Sequence, residues 1–331
     1  MICLIVLMLL LFVINLFVGS VDIPVAEVVA LLMGQSSAEE VALIVLHSRL
    51  PEAVVALLSG GGLAVAGLVM QTLFSNPLAD SSLLGVNAGA SLGVAVAMLV
   101  CGGSFSIGEV LLMGRWFVLV AAFVGAMLVM LLLMMSAQLM RGTLQLLITG
   151  VMISFAISAV IAILSFFASA QGVQTYVVWG LGTFSGIPLT NLPLLSASVV
   201  LGVGGIYVLS KHLNALMLGD AYAQNLGVRI VFVRTSLLFW VGIVVAAVTA
   251  YCGPIGFIGL AVPYGVRLLF RTGNHRKLIP ACFLGGSCLA LCCNVLARSV
   301  SDYSVLPINT LTPLFGVPVV LMLLRSGREY S

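Results

Sequence analysis

The sequence predicts an all-α polytopic membrane protein with about ten transmembrane helices and both termini in the cytoplasm. Three observations carry this prediction. Of 331 residues, 62% are apolar and only 7% charged, whereas a soluble domain has about 25% charged residues. Seven long stretches (53–79, 81–108, 116–140, 142–210, 235–266, 278–297 and 303–324) contain no Asp, Glu, Lys or Arg. The basic residues are also divided unequally between the two sides that these stretches define. Thirteen Lys and Arg with ten Asp and Glu cannot coat a soluble globule of this size. A soluble enzyme, a disordered chain and a nucleic-acid-binding protein are thereby excluded. The net charge of +3 makes no basic patch.

A bilayer core about 30 Å thick needs about 20 apolar residues per helix. A β-barrel would show alternating strands of about ten residues with polar turns. These runs are continuous and rich in Leu, Val, Ala and Gly, so they read as helices. The spans fall at 2–18, 52–74, 82–101, 116–138, 144–167, 192–209, 232–251, 254–270, 279–298 and 308–324. The first resembles the apolar part of a signal peptide. It lacks a charged n-region, and Val18-Gly19-Ser20 is a poor cleavage site, so it counts as a retained span. Segments 24–34 and 38–47 read as short helices inside an external loop, 19–50. Pro77 ends the second span, and Asp80 or Ser81 can N-cap the next. Gly85, Gly89 and Gly93 form a small-residue face for close helix packing. Between spans five and six, Gly172, Gly180, Gly182, Gly186 and Pro188 predict a short helix and turn at the membrane edge. Tyr251-Cys252-Gly253-Pro254 joins spans seven and eight. Span eight is short or broken, since Gly253 to Pro263 includes Gly256, Gly259 and Pro254 and cannot be a plain helix. Irregular backbone at that depth must be buried in protein or line a cavity.

An even number of spans puts both termini on one side. That side carries Arg141, Lys211, Arg229, Arg234, Arg267, Arg271, Arg276, Lys277, Arg325 and Arg328, and the other carries Arg49, Arg115 and Arg298. The positive side is cytoplasmic. The whole chain, 1–331, reads as a single transmembrane domain.

No span carries an ionisable residue away from its ends, which argues against proton-coupled transport. There is no HExxH and no mid-span Asp pair. No Gly-Lys dipeptide occurs, so there is no P-loop. The chain is therefore expected to be no enzyme and to bind no cofactor, with any ATP hydrolysed on another chain. Its seven cysteines include no CxxC pair and read as small packing residues. His47, His212 and His275 lie in loops, with no metal role expected.

Loop 211–231 is more specific. Leu218 to Val228 reads as a short helix with Asp220 at its N-terminal end and Gly227 at its C-terminal end, as helix termini prefer. The small side chains of Ala221 and Ala223 suit docking into a partner's groove.

Several blocks at matching intervals resemble the FecCD family. They are Arg49-Leu50-Pro51, Asn76-Pro77-Leu78-Ala79-Asp80, Leu84-Gly85-Val86, the Gly219–Gly227 loop, Gly253–Leu260 and Leu306-Pro307. The resemblance covers nearly the whole chain. It implies the permease subunit of an ABC importer for iron-siderophores, haem or cobalamin, in a bacterial inner membrane. It also implies a homodimer, two ATPase subunits holding ATP-Mg, a periplasmic substrate-binding protein and alternating access. By the same resemblance, Gly219, Asp220, Ala221, Ala223, Leu226 and Gly227 form the ATPase-coupling helix. Arg49 and Arg298 receive acidic residues of the binding protein, and Thr143 is a cytoplasmic gate. Gln71, Asn87, Thr149 and Asn294 are candidates for lining the path. Glu52, Tyr264 and Gln224 depart from the family's usual residues and alter the expected docking surfaces. An iron(III)-siderophore is the favoured ligand, with haem or cobalamin as alternatives. An ATP-independent secondary transporter is the competing class.

Overall fold

The structure, a computed structural model, describes residues 1–19, 21–34, 39–80, 85–100, 108–139, 143–300 and 305–325. The side chains of residues 32, 108–115, 143, 320 and 322–325 are not among those described. The described residues are helical, with no strand. In order they form α1 (Ile2–Phe17), α2 (Val25–Leu32), α3 (Glu39–Ile44), α4 (Leu50–Leu73), α5 (Val86–Ala95), α6 (Gly108–Leu139), α7 (Thr143–Phe167) and α8 (Ala170–Gly180). After these come α9 (Leu192–Val208), α10 (Ser210–Leu216), α11 (Asp220–Asn225), α12 (Ile230–Cys252), α13 (Ile258–Phe270), α14 (His275–Ser299) and α15 (Ile308–Arg325).

Among the described residues, six helical stretches are long and apolar enough to cross a membrane: Glu39–Leu73, Trp116–Leu139, Leu144–Phe167, Leu189–Val208, Ile230–Cys252 and His275–Ser299. The other predicted spans fall on four shorter apolar helices, Ile2–Phe17, Val86–Val100, Ile258–Phe270 and Ile308–Val319. The predicted short helix after span five is α8, capped by Ser169, whose Oγ accepts from Gly172 N–H at 3.2 Å.

One expectation is corrected. The described part of segment 38–47, residues 39–47, does not lie apart in a loop. α3 runs into α4 through a π-helical turn, Val45–Arg49. Pro51 supplies the reason: a proline removes one helical N–H and crowds the carbonyl four residues back. A π turn just before it absorbs that carbonyl and keeps the helix continuous.

α4 is the centre of the molecule. The most apolar part of Glu39–Leu73 is 89% buried, whereas that of Leu144–Phe167 is 17% buried. α4 is packed by α14, α13, α12 and α9, while α6 and α7 lie at the periphery with apolar side chains such as Leu128, Met152, Phe155 and Phe166 exposed. Glycines set the closest crossings. A Cβ on Gly60 would strike the Gly286 carbonyl, so α4 and α14 touch backbone to backbone. A Cβ on Gly89 would strike Gly125 O, and one on Gly93 would strike Ala121 O, where α5 crosses α6. Between helices in lipid, such contact replaces the hydrophobic drive available in water.

The two conspicuous irregular motifs meet beside α4. A Cβ on Gly67 would collide with Gly259 in the first turn of α13. Gln71 Nε2 donates to Leu260 O at 3.2 Å. Asp80, 6% exposed, has its carboxylate against Gly259. A carboxylate at the positive end of α13 is electrostatically favoured. Ser81, the alternative cap, lies outside the described residues.

Candidate functional site

Loop 211–231 folds as two short helices. α9 is followed by α10, Gly219 turns the chain at φ 95°, α11 follows, and Gly227 turns it again at φ 81°. Both values lie in the left-handed region that glycine tolerates. Gly227 closes a Schellman motif. Val228 N–H donates to Ala223 O at 3.1 Å, and Gly227 N–H to Gln224 O at 2.8 Å. Asp220 in the first turn of α11 pairs with Arg234 in the first turn of α12 at 2.6 Å. The loop is thus a folded unit tied to α12.

Its surface is unusual for a polar connector. Met217, Leu218, Tyr222 and Leu226 are exposed, and so are Gly219, Asp220, Ala221 and Gly227. Ala223, expected on the docking face, is fully buried and packs inward. Between the loop and the end of α4 lies a cleft of roughly 190 Å³ lined by Thr72, Leu73, Ser75, Leu216, Gly219, Asp220 and Arg234.

Arg49 and Arg298 sit at the opposite end of α4 and are not free surface charges, being 2% and 5% exposed. Arg49 Nη1 donates to Leu16 O at 3.1 Å and Phe17 O at 2.7 Å, and its Nη2 donates to Val21 O. Arg298 Nη1 reaches Asn15 O at 3.5 Å and Val18 O at 3.4 Å, and the guanidinium pairs with Glu52. Glu52 also accepts from Ser48 Oγ at 3.2 Å. The last carbonyls of a helix lack intrahelical donors and carry partial negative charge. Two arginines satisfy those of α1, and neither guanidinium expected to meet a docking partner is exposed on this chain. Glu52, read as a departure that would disturb docking, is the counter-charge of this clamp.

The four candidate path residues are not brought together. Asn294 is buried between α14 and α1, donating to Asn15 Oδ1 at 2.8 Å. Gln71 is buried against α13. Asn87 is half-buried and accepts from Thr249 Oγ1 at 2.9 Å. Thr149, on peripheral α7, donates back to Gln145 O at 2.9 Å. Asn294 thus bridges α14 to α1, and Gln71 bridges α4 to α13. Thr143 opens α7, and its side chain, expected to form a gate, lies outside the described residues.

Sequence reasoning overlooked His275, read as a loop residue. It is the fully buried first residue of α14, hydrogen-bonded to Asn214 and Thr72. A signal existed: Asn274-His275 starts an amphiphilic turn in which Asn274 caps α14, its Oδ1 accepting from Arg276 N–H at 3.0 Å.

Known proteins resemble this chain along nearly all of its length. It is 35% identical over 287 residues to a Helicobacter pylori protein named "Probable iron chelatin transport system permease protein", covering 86% of this chain and 83% of that one. It is 34% identical to the hemin transport system permease protein of Yersinia pestis, covering 86% and 84%. Identity to the vitamin B12 import system permease protein of Escherichia coli O157:H7 is also 34%, covering 86% and 85%. Among solved structures, a metal-chelate type ABC transporter in an inward-facing conformation superposes with a TM-score of 0.85 at 27% identity, covering 98% of each chain. The FecCD transport family matches residues 7–326, and the chain is a member of that family.

Proposed function

We infer that this chain is the transmembrane permease subunit of an ABC importer and carries an iron(III)-siderophore-type chelate across a bacterial inner membrane. The observation that carries the reading is α11. It is a short helix between α10 and α12 with exposed Tyr222 and Leu226, tied to α12 by the Asp220–Arg234 pair, in a chain whose family is one of transport. Apolar side chains exposed on a loop outside the apolar stretches fit a groove on a partner. That partner is an ATPase subunit, because this chain has no phosphate-binding loop of its own.

The assembly comprises two permease copies, two ATPase subunits and a periplasmic binding protein. The permease would have ten spans and cytoplasmic termini. ATP binding and hydrolysis would move α11 and switch the pathway between outward-open and inward-open states. The chelate is favoured over haem or cobalamin by the relative from Helicobacter pylori, whose name specifies an iron chelate. A large neutral ligand needs no charged site in the membrane, and the ionisable residues of the α4 end clusters are engaged in holding helices.

The test is ATP hydrolysis by the permease with its ATPase and binding protein in nanodiscs. Ferric siderophore, haem and cobalamin are added separately. Stimulation by ferric siderophore is expected. Stimulation by haem or cobalamin alone would replace the substrate assignment. Failure of folded permease to bind the ATPase would favour ATP-independent transport.

A further inference from the structure

At the α10–α11 end, four elements are joined by one hydrogen-bonded set of side chains centred on buried His275 and Thr72. His275 of α14 is fully buried. Its backbone N–H and its Nδ1 both lie 2.8 Å from Asn214 Oδ1 on α10. Its Nε2 lies 2.8 Å from Thr72 Oγ1 on α4. Arg267 of α13 sends Nη2 to the same hydroxyl at 3.4 Å. Asn214 Nδ2 donates to Asn274 Oδ1 at 3.2 Å.

Donor and acceptor identity orders this set. Asn214 Oδ1 can only accept, so His275 Nδ1 carries a proton. In the neutral ring Nε2 is then an acceptor, and the Thr72 hydroxyl donates to it while accepting from Arg267. Donation thus runs one way, from Arg267 through Thr72 and His275 to Asn214 and Asn274. A second proton on the ring would turn the Thr72 hydroxyl toward its other acceptor, Leu68 O at 2.9 Å.

The same residues bridge a gap. The cleft lined by Thr72, Leu73 and Ser75 on one side and Gly219, Asp220 and Arg234 on the other separates α11 from the end of α4. Across that cleft α11 has room to move. Beside it, α10 is pinned to α14 and α4 through Asn214. One residue before Thr72, Gln71 bonds to α13 next to Gly259 and Asp80. A displacement of α11 therefore reaches the centre of the molecule through α10 and this hydrogen-bonded set.

We propose that Asn214, His275, Thr72 and Arg267 are positioning residues that transmit movement of the coupling helix to α4 and α13; this rests on the importer reading above. A buried hydrogen-bonded set is stiff when satisfied, and a member left without its partner is costly, so it favours discrete arrangements over gradual deformation.

The test is hydrogen exchange on the permease–ATPase complex in nanodiscs, with and without ADP-vanadate. In the native complex, nucleotide is expected to change exchange in 210–226 and also in 66–74. Thr72→Val keeps the shape and removes the hydroxyl, and is expected to shrink the response of 66–74 about tenfold, within the range of allosteric couplings. Thr72→Ser should retain the response. Asn214→Ala, at a half-buried position on α10, should lose it as Thr72→Val does. A full response in Thr72→Val overturns the proposal, and so does equal loss in Thr72→Val and Thr72→Ser, which would mean packing rather than the hydroxyl. A native complex that responds in 210–226 but not in 66–74 overturns the proposal alone. No response in 210–226 overturns the importer reading and the proposal with it.

Discussion

Arg298 is enclosed by the last carbonyls of α1 and by Glu52. Removing one partner of a buried ion pair leaves the other charge uncompensated, at a cost of about 3–5 kcal/mol. Glu52→Ala is therefore expected to lower the unfolding temperature sharply in detergent. Glu52→Ala with Arg298→Met should recover part of the loss, since the guanidinium that lost its partner is also removed while Arg49 keeps its carbonyl acceptors. Thermal unfolding of the single and double variants checks this. Gly259 is a second single-residue constraint. Its Cβ would meet the Asp80 carboxylate, with Leu63 O at 3.0 Å and Gly67 Cα at 3.3 Å also close. Two of these three are backbone atoms, so the site cannot yield cheaply. Gly259→Ala should destabilise by about 1–3 kcal/mol, as overpacking does, again read by thermal unfolding.

At the scale of an element, α11 is six residues long and cannot persist on helical propensity alone. It is held by the Asp220–Arg234 pair, by buried Ala223 and by the turn at Gly227. Gly227→Val places a β-branched residue at φ 81°, where side chains cost roughly 1–2 kcal/mol. Fraying of α11 and weaker ATPase assembly are expected, measured by co-purification of the ATPase. Tyr222→Asp with Leu226→Asp leaves the fold untouched, because both side chains are exposed, but puts charge on the docking face. Co-purification should drop about tenfold or more, the loss of a central apolar contact being worth more than about 1 kcal/mol. Normal assembly of this double variant would mean that the ATPase binds elsewhere.

At the scale of the molecule, α4 is a buried axis with a clamp at each end. One clamp is Arg49, Glu52 and Arg298 on the α1 terminus, and the other is Thr72, His275 and Arg267 beside α10. The first fixes α1, so the opening helix is part of the packed body. The second faces the loop expected in the cytoplasm. Reporter fusions test this polarity. Green fluorescent protein fused after Asn225 should fluoresce, and alkaline phosphatase fused after Gly186 should be active outside. The reverse pattern would invert the topology.

The sequence by itself determined where the apolar helices lie, that the chain belongs in a membrane, and that a short helix runs from near Asp220 to near Gly227. Each follows from local composition or backbone preference. Charge-free runs mark helices, and glycine marks left-handed turns. Only the tertiary structure decided which side chains face each other. These helices are apolar on every side, so their sequences carry little information about which face is buried. Arg49 and Arg298 therefore read as surface charges although they are helix-terminal ligands, and Asn294 reads as a path residue although it bonds Asn15. His275 reads as a loop residue although its partners lie 61 and 203 positions away. Contacts at such separations depend on how helices rotate and cross, and that is set by glycine-to-backbone fits such as Gly67 on Gly259, which exist only once the helices are packed.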